Sequence, residues 1–289
     1  MTVPGPTGAV YLLDKGRGTS SRKAAGEVAR AFGYRKYGHA GTLDPDATGV
    51  LVVLLGRATR LSRFLTGHDK RYTFVLRLGV VTDTDDGTGR VIGGSGDSAV
   101  TRGTVERLLA DSYTGRMMQR VPRFSAVRVD GTRAFRAARR GQELADLPVR
   151  AVTAVEWSAG EMDGQSIPLG VTVSAGTYVR ALARDIGEEL GTGAIADDIR
   201  RISSGWFGID DCSTGPGDER ALLSMSRAMS GYPSMELEAG AVSRVLHGGA
   251  VDGDAEGTVC LLDGHGSLVA VGTGDAGTVR PLCVLEDAG

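Results

Sequence analysis

Between Arg71 and Leu78 the chain alternates, with the apolar Tyr72, Phe74, Leu76 and Leu78 on one side and Arg71, Thr73, Val75 and Arg77, polar but for Val75, on the other. A period of two is that of a strand with one face on a core and the other toward solvent. GAVYLLDK (8–15), VLVVLL (50–55), VRAVTAVEWSA (149–159) and LGVTVSAG (169–176) also read as strands. TSSRKAAGEVARAFG (19–33) reads as a helix entered through Thr19 or Ser20 and stopped at Gly33. ATRLSRFL gives a helical turn or two, TVERLLADSY a short helix, and YVRALARDIGEELG an amphipathic one with Val179, Leu182, Ile186 and Leu190 on a stripe. Strands and helices follow one another without a regular βαβ repeat, which predicts an α+β fold with a mixed, largely antiparallel sheet and flanking helices. From GIDDCSTGPGDE to SGYPSM the chain turns polar and rich in Gly, Pro and Ser around one helical stretch, ERALLSMSRAM. That predicts a large domain over 1–234 and a small β-barrel-like one over 235–289, where short apolar runs such as VCLL and LVAVG alternate with glycine-rich turns.

The formal charge of −2 conceals a division along the chain. Residues 1–150 carry 25 Lys/Arg against 14 Asp/Glu, leaving 8 against 21 for the remainder. The densest basic run, RMMQRVPRFSAVRVDGTRAFRAARRGQ, has eight arginines and one acid. Guanidinium contacts phosphate bidentately, so this run is either a solvated face or a surface for nucleic acid. Cys212, Cys260 and Cys283 are far apart and lack CxxC spacing, which predicts reduced thiols rather than a disulfide framework or a zinc site. TDTDDGTGR (82–90) departs from a calcium loop in the position of its glycine and in having Gly94 where the closing glutamate belongs. GTGAIA follows a helix instead of a strand, against a dinucleotide site. No metal and no cofactor is expected. With no signal-peptide pattern near Met1 and no apolar run of bilayer length, a cytoplasmic protein is expected.

GHAGTLDPDATGVL (38–51) puts a histidine and two aspartates among three glycines and one proline. Pro45 pushes Asp44 toward an extended conformation, so this stretch reads as a loop. Its bland reading is a turn in which Asp44 and Asp46 bond their own backbone. Arg180 stands in the first turn of its helix, where the macrodipole disfavours a cation unless an anion is near. Asp44 is one candidate for that anion.

GHAGTLDPDATGVLVVLLGRATRLSRFL, KRYTFVLRLGVVTDTDDGTG and SAGTYVRALARDIGEELGTGA with IRRISSGWF, in this order and at these spacings, resemble the TruB family of tRNA pseudouridine-55 synthases over about Leu12–Phe207. The C-terminal residues are similar in length and pattern to the PUA domain of the bacterial enzymes. The resemblance implies a pseudouridine synthase fold with a PUA-like RNA-binding domain. It implies that Asp44 is the catalytic aspartate, Arg180 the arginine that pairs with it, and Tyr72 the aromatic that stacks on the target uracil. Tyr178 would line the same pocket, His39 would sit at the loop that wedges into the T-loop of tRNA, and Lys15 matches the lysine of the family's LLDKPxGxTS stretch. The segment from about Gln119 to Gly141 would be an RNA-gripping thumb, with Arg123, Arg128, Arg133 and Arg136 on the substrate. Gly16 stands where the family has proline, and Val121, Arg128 and Phe135 also depart from its pattern.

Pseudouridine formation detaches uracil from ribose, turns it and reattaches it through carbon 5, an isomerisation that consumes no redox equivalent. The base must leave its stack. An ionised carboxylate then acts on sugar or ring, and an arginine close to a carboxylate in a dry pocket keeps it charged. Tyr72 offers a ring face for stacking and a hydroxyl for handling the carbon-5 proton. The expected activity is isomerisation of the T-loop uridine of tRNA by a monomer with no obligate protein partner and no membrane attachment. The alternative is a tRNA-folding chaperone of the same shape in which catalysis is dispensable. A hydrolase using Asp44 and Asp46 as an acid/base pair fits less well, since acids one residue apart in an extended segment point to opposite sides.

Overall fold

Strand β1 (Gly8–Lys15) is buried along nearly its whole length, as its unbroken apolar run requires. It opens the first of two units in the computed structural model, which describes residues 8–96, 99–125, 127–129, 132–133 and 147–285. One unit combines residues 1–45, 49–67 and 206–289, and the other 46–48 and 68–205. Helix α1 (Ser21–Ala31) starts at the N-cap Ser20, whose hydroxyl accepts from the Lys23 amide at 3.3 Å, and is followed by Gly33 at φ +73°. The stretch read as one loop is strand at both ends. β2 (Tyr37–Ala40) and β3 (Thr48–Gly56) pair antiparallel, and β3 also pairs antiparallel with β1 from Gly8↔Gly56 to Lys15↔Gly49. Side chains on both faces of β3 are buried, which explains why Val50–Leu55 is apolar at every position instead of alternating. A 3-10 turn (Arg57–Leu61) and short helix α2 (Ser62–Thr66) follow.

In the second unit, β4 (Lys70–Leu78) buries Tyr72, Phe74, Leu76 and Leu78, as the alternation predicts. A short hairpin, β5 (Val81–Thr82) with β6 (Val91–Gly93), leads to α3 (Arg102–Ser112), capped by Thr101. Then come β7 (Gly115–Arg120), the ribbon β8 (Arg128–Val129) and β9 (Thr132–Arg133), and the long strands β10 (Val149–Ala159) and β11 (Ser166–Val173). Helix α4 (Val179–Glu189) buries Val179, Leu182 and Ile186, and β12 (Ala194–Ser204) follows it. The strands lie antiparallel in the order β12-β4-β11-β10-β7. A Cβ on Gly187 would fall 2.1 Å from the Ala194 amide nitrogen, so α4 approaches β12 at a distance only glycine permits.

Residues 206–285 return to the first unit through β13 (Phe207–Gly208) and β14 (Leu222–Leu223). The stretch ERALLSMSRAM is not one helix: a 3-10 turn gives way to β14, which pairs with Val10 and Tyr11 of β1, and only Met225–Ala228 form a helix, α5. Strand pairing with a segment some two hundred residues earlier overrides local propensity here. β15 (Ser234–Glu236), helix α6 (Ala239–Leu246), β16 (Val251–Asp252), β17 (Gly257–Leu262), β18 (Leu268–Asp275) and β19 (Thr278–Val284) complete the unit. The five strands run β15-β17-β18-β19-β16, and α6 is a helix beyond the short strands and turns expected of this β-barrel-like part. Cys260, Leu268, Val271, Cys283 and Leu285 share a core with Phe64, Leu65 and Met229. Arg57 and Arg63 donate to the carbonyls of Leu285 (3.0 Å) and Leu282 (2.7 Å). All three cysteines are free thiols, and burial pushes that of Cys260 up to about 11. Among the described residues no helix is long and apolar enough to cross a membrane.

Candidate active site

Asp44 is half-buried in the short connection between β2 and β3, and the chain is fixed on both sides of it. Ser21, the first residue of α1, is 2% exposed; its hydroxyl donates to the Leu43 carbonyl and accepts from the Leu43 amide, both at 2.8 Å. The carbonyl of Pro45 accepts from the Gly18 amide at 2.9 Å and from the ammonium of Lys15 at 3.0 Å. Lys15 is 1% exposed and donates also to the carbonyls of Gly16 and Thr19, each at 2.9 Å. Its three donors thus join the β1–α1 turn to the residue after Asp44. Gly16 contributes its carbonyl to this grip, a group that every residue type supplies. His39 lies within β2, opposite Val53, instead of in the free part of the loop.

Arg180 is the second residue of α4 and is buried. Its guanidinium donates to the carbonyls of Thr84 (2.8 Å) and Phe124 (3.0 Å), and its Nε lies 3.6 Å from Oδ2 of Asp86. An anion therefore does accompany the cation in the first helical turn. Asp86 is itself fixed, because its Oδ1 accepts from Thr84 Oγ1 (2.7 Å), Thr88 Oγ1 (2.6 Å) and the Thr88 amide (3.0 Å). The segment TDTDDGTGR spends its acids on cations and backbone: Asp83 accepts from the Arg90 amide at 2.9 Å, and Asp85 lies 3.3 Å from Arg184. Asp85 has φ +62°, and burial pushes its carboxyl up against the opposing pull of Arg184 and Arg180. Tyr178 precedes α4, and the buried amide of Gln119 grips its main chain, accepting from Tyr178 N at 2.9 Å and donating to Tyr178 O at 3.1 Å.

Of the expected thumb, Arg123 is exposed, and Arg128 and Arg133 are register partners in the β8–β9 ribbon. Arg136 lies outside the described residues.

Tyr72 is 8% exposed on β4. Beside it stand two buried cations that the sequence reading did not single out. Arg201, 1% exposed on β12, places Nη1 3.5 Å from the Tyr72 hydroxyl. Lys70 is 5% exposed; burial, and secondarily the charge of Arg201, pull its ammonium down to about 8, against Asp69. The available signal was the pair of cations in IRRISS, within an otherwise strand-like run. One unit thus carries a carboxylate on a clamped loop, and the other an aromatic ring with a hydroxyl and a buried arginine at a helix start.

Residues 29–179 match the TruB family pseudouridylate synthase (N terminal domain). The chain is 36% identical to the tRNA pseudouridine synthase B of Ruegeria sp. (strain TM1040) over 284 residues, 93% of each chain. It is 37% identical to the tRNA pseudouridine synthase B of Arthrobacter sp. (strain FB24) over an alignment of 294 positions, 95% of each. Among solved structures, a Cbf5-Nop10-Gar1 complex shares the fold with a TM-score of 0.73 at 24% identity, covering 97% of this chain and 85% of that one.

Proposed function

Because the chain belongs to the TruB family of pseudouridylate synthases, we propose that it isomerises the T-loop uridine of tRNA to pseudouridine with Asp44 as the catalytic carboxylate. The observation that carries this reading is the clamp on Leu43 and Pro45, which fixes the backbone either side of a half-buried Asp44. A turn that merely satisfied its own backbone would not engage a buried lysine and a buried serine from another connection. Catalysis by a positioned carboxylate requires such fixing, since misplacement by an ångström costs orders of magnitude in rate.

In this reading Arg180 is the ion-pair partner of Asp44, and Tyr72 stacks on the extruded uracil, with Tyr178 at the same pocket. Lys15 holds the loop, His39 meets the T-loop, and Arg123, Arg128, Arg133 and Arg136 grip phosphates as part of a thumb over 119–141. The catalytic part is 1–234, and 235–289 forms the PUA-like part. The protein works in the cytoplasm as a monomer on tRNA, without an obligate protein partner. The test is to incubate the protein with an unmodified tRNA transcript and map pseudouridine by chemical labelling and reverse transcription. A single new pseudouridine in the T-loop, absent with Asp44→Asn, is expected. Binding without product in the wild type would instead favour a folding chaperone.

A further inference from the structure

The Tyr72 hydroxyl has a neighbour that the proposed reaction has not yet used. Arg201 and Tyr72 are Cα partners across β12 and β4, and Nη1 of Arg201 lies 3.5 Å from the phenolic oxygen. The register of β12 shifts on both sides of the Arg200–Arg201 pair, between Asp197 and Arg200 and again between Arg201 and Ser203. Bulges re-aim side chains, and two of them flanking one dipeptide set its direction independently of the rest of the strand. The side chain so aimed is a guanidinium with 1% exposure. An apolar residue of similar volume would fill that space with less desolvation cost, so sheet stability alone does not account for an arginine there.

A guanidinium has donors and no acceptor. Where it meets a phenol, the oxygen must accept and the phenol's own proton must point elsewhere. We propose that Arg201 is a positioning residue for uridine isomerisation: it occupies the acceptor side of the Tyr72 oxygen and so directs the Tyr72 O–H, as a hydrogen-bond donor, toward the bound uracil. The proposal rests on the reading that places Tyr72 at the target base. It deepens that reading by giving the hydroxyl a direction and naming the residue that sets it. Arg201 touches no reacting atom and acts through Tyr72.

The test is a double-mutant cycle read by single-turnover conversion of an unmodified tRNA transcript, with tRNA affinity measured on each variant. Tyr72→Phe keeps the ring and removes the hydroxyl, and Arg201→Met keeps much of the volume and removes the donors. Each is expected to slow conversion by roughly tenfold to a hundredfold. The double variant should be within about twofold of Tyr72→Phe alone, with affinity within about threefold of wild type throughout. Arg201→Lys, which retains a donor, should recover part of the rate, and it replaces Arg201→Met in the cycle should that variant fail to fold. Independent, multiplying effects would overturn the proposal while leaving Tyr72 in its role. Full-rate Tyr72→Phe beside slow Arg201→Met would also overturn it, because the hydroxyl would then have no part. Absence of product from the wild type would be the separate failure of the uridine-isomerase reading.

Discussion

The hydroxyl of Ser21 bonds both main-chain polar groups of Leu43, the residue immediately before Asp44. Ser21→Ala leaves a buried N–H and a buried C=O without that partner, at a cost of about 1–3 kcal/mol in stability. Because the loss falls next to Asp44, single-turnover pseudouridine formation should drop more than tRNA affinity does. Urea unfolding alongside rate measurements checks this, and a destabilised variant with full activity would remove the clamp from the catalytic account.

Lys15 acts on the other side of the same residue. Lys15→Met removes a buried ammonium that donates to three part-buried carbonyls, and is expected to cost roughly 3 kcal/mol. Its effect and that of Ser21→Ala should couple, since both fix one short loop. Strictly additive unfolding free energies would show that the two anchors act independently.

Asp86 faces a buried arginine and is held by three donors of its own loop. Asp86→Asn keeps the shape and removes the charge, which should destabilise the fold by about 1–3 kcal/mol and slow conversion by at least as much as it weakens binding. Asp46→Asn, by contrast, should leave the rate near wild type, and an effect equal to that of Asp44→Asn would restore the acid/base-pair reading.

Burial lowers the Lys70 ammonium from its ordinary 10.5 to about 8. Between those values the unfolded chain binds more protons than the folded one, so the contribution of Lys70 to unfolding free energy rises with pH across the window and is flat below it. The stability difference between wild type and Lys70→Met should therefore shift in favour of wild type from pH 8 upward. A difference independent of pH over this range would mean that Lys70 titrates normally.

Phosphate contacts set the salt dependence of RNA affinity. Replacing Arg123, Arg128 and Arg133 together by Gln should weaken tRNA binding and flatten the slope of log affinity against log salt by up to about 3. Residues 235–289 hold nine acidic residues against two arginines, Arg244 and Arg280, so the same replacement at those two should change the slope less. An unchanged slope after the first replacement would take the thumb out of RNA binding.

Much of the fold was legible because its signals are local. β1 matches its apolar run residue for residue, and β4 its alternation. Helix α1 begins at Ser20, one of the two caps expected. β14 was hidden inside a helical pattern because its partner is β1, far back in the chain. Helix α6 was hidden by Gly240 and a glycine-rich neighbourhood that reads as turns. In the candidate site, Asp44 and Arg180 stood out by backbone context and helix position. Arg201, Lys70 and Gln119 did not, because a polar residue in a strand reads as solvent-facing, and the bulges that turn Arg201 inward leave no periodic trace. Asp86 was visible only as one acid of a rejected calcium loop.

The unit that carries Asp44 is assembled from both ends of the chain. Val10 pairs with Leu223, the Tyr11 hydroxyl accepts from the Asp218 amide at 3.3 Å, and Arg57 reaches the carbonyl of Leu285. In time, this means that the Asp44 half is begun first and finished last. Nearly all of the other unit leaves the ribosome while β1 still lacks the strand that covers its outer edge. A nascent chain halted between Thr48 and Leu222 holds the whole Asp44 loop and cannot complete the sheet that supports it.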